Sequence, residues 1–258
     1  MNNKSFNKLA NQLKIAFLRN KIINPLPSRI TKKLKIANKF RKLCESKIDD
    51  PVIGFKAGGT AIPLLKKLKE KEPFYASVYK KNFLKNGKKV KINKYTLGIE
   101  LEVCYLIKKS FFKSKNLIKN KDINKFISHI APCIEVVGYR QKKKGIKSFG
   151  DLSSDFGGNV KFIIGRKKSY TRNNVKNLRT QIFNTKKNQS TYGNTNSVFI
   201  NPLNSLKFVL NKLKKDKIYL NKNFYVFTGS TVGVVPISNN GSYVGKIHSL
   251  GSVKTIIY

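Results

Sequence analysis

The sequence predicts an α+β fold, a mixed but largely antiparallel and curled sheet with a helical cap at its N-terminus. Three observations predict it. Apolar residues recur at helical spacing through the first part of the chain, up to about residue 50. Beyond it, runs of strand length separated by Gly, Pro and Asn outnumber helical stretches. Most of these runs follow one another through short turns, as antiparallel strands do. With 258 residues, 40% apolar content, 17 Phe and 11 Tyr, the chain can build one large core. We therefore expect a helical cap over 1–50 and a core domain over 51–258.

The elements follow in order. Phe6, Leu9, Leu13, Ala16 and Phe17 form one stripe and predict a helix over 5–19. Pro25 and Pro27 interrupt the chain, and Leu34, Ala37, Leu43 and Cys44 predict a second helix over 31–46. Residues 51–60 read P-V-I-G-F-K-A-G-G-T, a short strand ending in a Gly-rich turn, with a helix expected over 62–71. Residues 74–79 read as a strand, and Asn86-Gly87 as a hairpin turn leading to an extended segment at 90–92. A short helix over 122–130, capped by Asp122, precedes a strand over 131–137. Residues 151–158 form a polar, Gly-bearing loop before a strand over 160–165. The basic, Asn-rich stretch 167–198 predicts a hairpin or mobile loops. Asn201-Pro202 opens a helix to 214, with Leu206, Val209, Leu210 and Leu213 as its stripe. A strand over 224–228 ends in Gly229-Ser230, and two closing strands flank the Asn240-Gly241 turn.

Among these elements, 96–107 stands out, read T-L-G-I-E-L-E-V-C-Y-L-I. Residues i and i+2 of a strand share a face, so Glu100, Glu102 and Cys104 look one way and Ile99, Leu101 and Val103 the other. A second apolar run, A-P-C-I-E-V-V at 131–137, carries the lone carboxylate of Glu135. Three carboxylates on two apolar strands suit a hard divalent cation, which takes oxygen ligands. The same spacing suits two half-exposed strands with solvated Glu side chains, and it leaves both readings open. Lys56, at a strand end beside glycines, can contact an anion through its ammonium and the neighbouring N–H groups. In so Lys-rich a chain it also reads as ordinary surface.

The charge is large: 54 Lys and Arg against 12 Asp and Glu, formally +42. The lysines are spread over the whole chain with Asn and Ile, without an Arg-rich block, zinc-ligand spacing or an RNA-binding aromatic motif. Any nucleic-acid binding is therefore expected to be sequence-independent and salt-sensitive, and no specific nucleic-acid partner is expected. No apolar run reaches the length of a membrane span, and no signal-peptide pattern opens the sequence. Cys44, Cys104 and Cys133 are odd in number and lack metal-ligand spacing, which suits a reducing cytoplasm.

The ordered series G-F-K-A-G-G-T (54–60), I-E-L-E (99–102), A-P-C-I-E-V-V (131–137), D-L-S-S-D-F-G-G (151–158), N-P-L (201–203), F-T-G-S (227–230) and L-G-S-V (250–253) resembles the 2-keto-4-pentenoate hydratase branch of the fumarylacetoacetate hydrolase superfamily. The resemblance runs almost end to end. It implies a curled β-roll core, like the C-terminal domain of fumarylacetoacetase, holding one Mg²⁺ or Mn²⁺ through Glu100, Glu102 and Glu135. It implies a metal-dependent lyase acting on a 2-hydroxy-2,4-dienoate or 2-oxo acid by enolate chemistry, most directly a hydratase. Decarboxylation or C–C hydrolysis of a 2-oxo diacid, or a non-catalytic accessory role, are its alternatives. Lys56 matches the family's lysine near the substrate. Gly58, Thr60, Asp155, Thr228, Gly229 and Ser230 match positions facing or near it, and a homo-oligomer is implied. Two positions depart from the pattern. Lys81 stands where an acidic residue is usual, which makes it a candidate catalytic group, and Gly138 replaces an Asp, with Arg140 retained.

Overall fold

The computed structural model describes residues 3–143, 145–171, 175–237 and 240–258. The first segment forms α1 (Asn3–Arg19), α2 (Ser28–Thr31) and α3 (Leu34–Glu45). The expected second helix is thus two. The Thr31 carbonyl accepts from Ser148 Oγ at 2.6 Å, and Lys33 is extended before α3 starts. Ala10, Leu13, Phe17, Ile30, Phe40 and Cys44 pack into a small core that Tyr79 and Phe156 of the following chain complete.

Beyond residue 50 the strands are β1 (Val52–Gly58), β2 (Phe74–Tyr79), β3 (Phe83–Lys85), β4 (Lys89–Val90), β5 (Thr96–Ile107), β6 (Ile127–Gly138), β7 (Asn159–Ile164) and β8 (Lys168–Ser169). They continue with β9 (Arg179–Asn184), β10 (Gln189–Asn194), β11 (Phe224–Ser230), β12 (Val235–Pro236), β13 (Gly241–Ile247) and β14 (Gly251–Ile257). Three helices interrupt them: α4 (Ile62–Lys67), α5 (Phe149–Ser154) and α6 (Pro202–Lys215). One nine-stranded sheet has the order β2-β1-β11-β5-β6-β7-β3, with β12 beside β5 and β8 beside β6. A five-stranded sheet has the order β10-β9-β13-β14-β4. Pairing is antiparallel except for β1/β11, β3/β7 and β4/β14, so the mixed, largely antiparallel class is observed.

The two faces of the large sheet have different neighbours. Ile99, Leu101, Val103, Tyr105 and Ile107 of β5 are fully buried in the main core. That core also takes Leu206, Val209, Leu210 and Leu213 of α6 and Tyr243, Ile247, Val253 and Ile257 of the small sheet. The opposite face carries Lys56, Glu102, Cys104, Cys133, Glu135, Phe162 and Phe227. This face curls. Lys56 on β1 and Glu135 on β6 are three strands apart, about 14 Å in a flat sheet. That is more than a lysine side chain spans, yet their charged ends are 2.5 Å apart.

Several local expectations are corrected. Asn86-Gly87 does not close a hairpin: β3 pairs with β7 and β4 with β14, and the turn is tied to β14 by Gly87 N donating to Lys254 O. Residues 123–126 form a single 3₁₀ turn with no side-chain cap from Asp122, and β6 begins at Ile127. The loop expected at 151–158 is α5, capped by Ser148, followed by a tight turn. The 62–71 helix stops at Lys67, with Lys69 at φ 56°. A hairpin, β9–β10, does form within 167–198, although residues 172–174 lie outside the described residues. The closing strands β13 and β14 turn at 248–250, because Gly241 already begins β13; Ser238 and Asn239 lie outside the described residues. No helix among the described residues is long and apolar enough to cross a membrane.

Candidate metal centre and its cavity

β5 and β6 bring the three carboxylates together. Glu100 and Glu135 are direct cross-strand partners, and Glu102 lies two residues further along the same face of β5. Each offers an oxygen, and these oxygens lie within 4.8 Å of one another. Glu102 and Glu135 are fully buried, while Glu100 is partly exposed to a cavity of about 450 Å³ that it lines with Lys56. Lys56 Nζ donates to Glu135 Oε1 at 2.5 Å and to the Gly157 carbonyl at 3.1 Å. Gly229 N donates to Glu102 Oε2 at 3.0 Å.

The electrostatics of this cluster are unbalanced. Burial pushes the carboxyls of Glu100 and Glu102 up to about 7. Burial also holds Glu135 well above the carboxylate range, even though the Lys56 charge opposes it. Burial likewise works against the Lys56 ammonium, but Glu135, Glu100 and Glu102 outweigh it and raise its pKa. One ammonium is therefore left to stabilise three buried carboxyl groups, which burial drives toward their neutral forms. Glu102 Oε1 and Glu135 Oε2 are buried without a hydrogen-bond partner, a condition that native interiors rarely tolerate.

A divalent cation fits both observations. It would supply the positive charge that keeps these carboxyls ionised and give the two orphan oxygens a partner. The donors are all carboxylate oxygen, the choice of hard ions such as Mg²⁺ and Mn²⁺ rather than of soft ones. Oxygens within 4.8 Å of one another are near enough for one such ion to reach all three. Cys104 and Cys133 are buried on the same face, in an apolar cluster with Phe162 and Phe227. They are small fillers there, and burial raises both thiols well above their usual range.

The remaining sequence-derived positions divide into two groups. Gly58, Thr60, Gly229 and Ser230 line the cavity with Lys56 and Glu100. Gly229 sits at φ 104°, and a Cβ there would lie 2.0 Å from Thr60 Oγ1, so the close approach of β11 to the turn after β1 demands glycine. Thr228, Asp155 and Lys81 do not line it. Thr228 Oγ1 donates to Val103 O at 2.8 Å, tying β11 to β5 within the buried interior. Asp155 accepts from Arg140 Nη1 at 3.1 Å, Arg140 N at 2.9 Å and Gln141 Nε2 at 3.2 Å, which fixes the turn before Gly157. Lys81 points to the helical cap instead: its Nζ donates to Phe17 O at 3.1 Å and Leu18 O at 2.5 Å, beside the Phe17 ring. Lys81 therefore sits away from the cavity, contrary to the expectation of a catalytic group, and its ammonium satisfies the last carbonyls of α1. Lys81→Ala should leave any cavity chemistry within about twofold of the parent while costing about 1 kcal/mol of stability, read by urea unfolding.

Sequence reasoning missed the cavity walls. Leu97, Tyr139, Leu152, Tyr192 and Val234 come from separate loops and strand ends. No local pattern marks them, because only tertiary folding brings them to one place.

No family model matches the chain, and no curated protein matches it. Solved structures do resemble it. The 4-oxalocrotonate decarboxylase from Pseudomonas putida G7, complexed with magnesium and adipate, superposes with a TM-score of 0.84 at 18% identity, covering 100% of this chain and 99% of that one. The same enzyme complexed with calcium and acetate gives the same values. The 5-carboxymethyl-2-hydroxymuconate delta-isomerase from Mycobacterium smegmatis gives 0.56 at 11% identity, covering 81% and 80% of the two chains. This chain shares the fold of these neighbours.

Proposed function

We propose that the chain is a divalent-metal-dependent lyase acting on a 2-oxo acid or its 2-hydroxy-2,4-dienoate form, with hydration of the 2-keto-4-pentenoate type as its reaction. One observation carries the reading: three buried or half-buried carboxylates, two of them with unpartnered oxygens, meet the Lys56 ammonium at one cavity. Glu100, Glu102 and Glu135 would hold Mg²⁺ or Mn²⁺. Such an ion supplies Lewis-acid stabilisation of negative charge developing on the oxygens of a 2-oxo acid.

The chain's own residues do the rest. Two acceptors, Glu135 Oε1 and Gly157 O, fix the Lys56 ammonium, which has three N–H groups, so one is left for a bound substrate. The ammonium can give a proton to C5 of the dienol as the 2-hydroxyl loses one. A water molecule then adds across the resulting C3–C4 double bond, its oxygen at C4 and its proton at C3, with the same group able to exchange a proton at C3. Gly229 N holds the Glu102 carboxylate in place through the strand that carries it. The opening edged by Leu97, Tyr192 and Val234 leaves water, the second reactant of a hydration, free to enter the cavity. In this reading the helical cap at 1–50 supports the core domain from outside, the partner molecule is a small 2-oxo acid, and the protein works as a cytoplasmic homo-oligomer.

A second reading, decarboxylation of a 2-oxo diacid, is favoured by the full-length likeness to the decarboxylase. Both reactions develop negative charge on the C2 oxygen of a 2-oxo acid; hydration adds water across C3–C4, whereas decarboxylation breaks the C5–C6 bond, and they differ in the product. Incubating the Mn²⁺-supplied protein with 2-hydroxypenta-2,4-dienoate and, separately, with 2-oxohex-3-enedioate separates them. The proposal expects a 4-hydroxy-2-oxo acid from the first by proton NMR. CO₂ release from the second without hydration of the first would select the decarboxylase, and no turnover of either would select a non-catalytic role.

A further inference from the structure

The cavity has a charged end and a long uncharged remainder. In a chain with 54 Lys and Arg residues, Lys56 and Glu100 are the only charged side chains that line it among the described residues. Both belong to the carboxylate cluster. Leu97, Val137, Leu152, Val232, Val234 and Tyr192 supply the apolar wall. Leu97, Tyr192 and Val234 stay exposed, at 37%, 72% and 46%, so three of the large apolar side chains left to solvent gather around this one opening.

Four polar side chains of the wall are already engaged with the protein, and the others, Thr60, Tyr139 and Tyr192, are neutral hydroxyls. Asn194 Oδ1 accepts from Asn196 N at 2.9 Å, and its Nδ2 donates to Asn177 Oδ1 at 2.7 Å. Ser197 Oγ donates to Asn194 O at 2.8 Å, Ser230 Oγ to Gly233 O at 2.7 Å and Thr231 Oγ1 to Leu101 O at 2.9 Å. Lys143 lies over the Tyr139 ring but does not line the cavity; it is itself buried and paired with Asp151 at 2.7 Å. A second carboxylate placed along this wall would lose its water and find no cation. The volume of about 450 Å³ also lies in the range of pockets that hold drug-sized ligands.

We infer that the cavity selects a 2-oxo monocarboxylate with an apolar alkyl or aryl tail and rejects dicarboxylates of the same length. The reacting end of this substrate rests on the lyase reading above, whereas its apolar tail rests on the wall alone.

Two sets of probes keep the two readings apart. Calorimetric titration of the Mn²⁺-supplied full chain with hexanoate, octanoate and octanedioate tests the wall without any 2-oxo group. We expect about a fourfold gain in affinity per methylene between the two monoacids. Octanedioate should bind roughly 100-fold more weakly than octanoate. Val234→Lys, at an exposed position outside the carboxylate cluster, should narrow that gap at least tenfold by supplying the missing cation. The inference is overturned if octanedioate binds as tightly as octanoate, if affinity does not rise with chain length, or if neither acid binds. Deuterium exchange at C3 of 2-oxooctanoate and 2-oxooctanedioate is then read separately. Preferred exchange of the diacid overturns the inference and leaves the lyase standing. No exchange of either, with octanoate still preferred over octanedioate, removes the lyase reading and upholds the apolar selectivity.

Discussion

Lys56→Met is expected to slow exchange of the C3 protons of 2-oxo acids in D₂O by roughly 10²–10⁴-fold, the contribution of a positioned general acid–base group. Methionine keeps the unbranched apolar stem and removes the ammonium, so the space that the stem fills beside Gly157 changes little. Two hydrogen bonds are lost, to Glu135 Oε1 and to the Gly157 carbonyl. The variant also removes the charge that opposes burial at Glu100, Glu102 and Glu135, so circular dichroism must confirm the fold before rates are compared. A fall below tenfold would make Lys56 a structural counter-ion to Glu135 and leave the proton to another group.

Gly229→Ala is expected to destabilise the protein by roughly 2–4 kcal/mol, since two separate costs add. Alanine pays for the backbone at φ 104°, a region that suits glycine. Its Cβ would also lie 2.0 Å from Thr60 Oγ1, in a turn that cannot retreat because Phe199 N donates to the Thr60 carbonyl at 3.0 Å. The double variant Thr60→Gly/Gly229→Ala should recover the steric part and leave the backbone part. Urea unfolding of the two variants reads the difference. A loss below about 0.5 kcal/mol for the single variant would mean that the turn relaxes freely, and that Gly229 does not fix Glu102.

Much of this arrangement was legible in the sequence, for reasons particular to each element. Period-two spacing put Glu100 and Glu102 on one face of a strand, and strand pairing then placed Glu135 opposite Glu100. The α6 stripe was legible because its cap, Asn201-Pro202, and its apolar spacing agree. The resemblance placed Gly58, Thr60, Gly229 and Ser230, all of which line the cavity. It failed at Lys81, where an aligned position says nothing about direction. The side chain turns to the α1 carbonyls that happen to be near it. Thr228 and Asp155 show the same limit: one alternates away from the cavity into the β11–β5 contact, and the other is drawn into the Arg140 pair. The Asn86-Gly87 turn misled because its dipeptide fixes a local bend, whereas the strands on either side choose partners in different sheets. The cavity walls were illegible because their residues are joined only by the curl of the sheet.

Direct titration of the full chain with Mn²⁺, following the EPR signal of the free ion, tests the central claim most closely, because it reads the carboxylate cluster without a substrate. The account predicts one site per chain and a gain of about 2.7 kcal/mol in unfolding free energy when Mn²⁺ is present at 100 times its dissociation constant. It also predicts a loss of affinity of at least tenfold in Glu102→Gln, which keeps the shape of the side chain and removes its charge. Equal binding by parent and variant, or no saturable site in the parent, would contradict it.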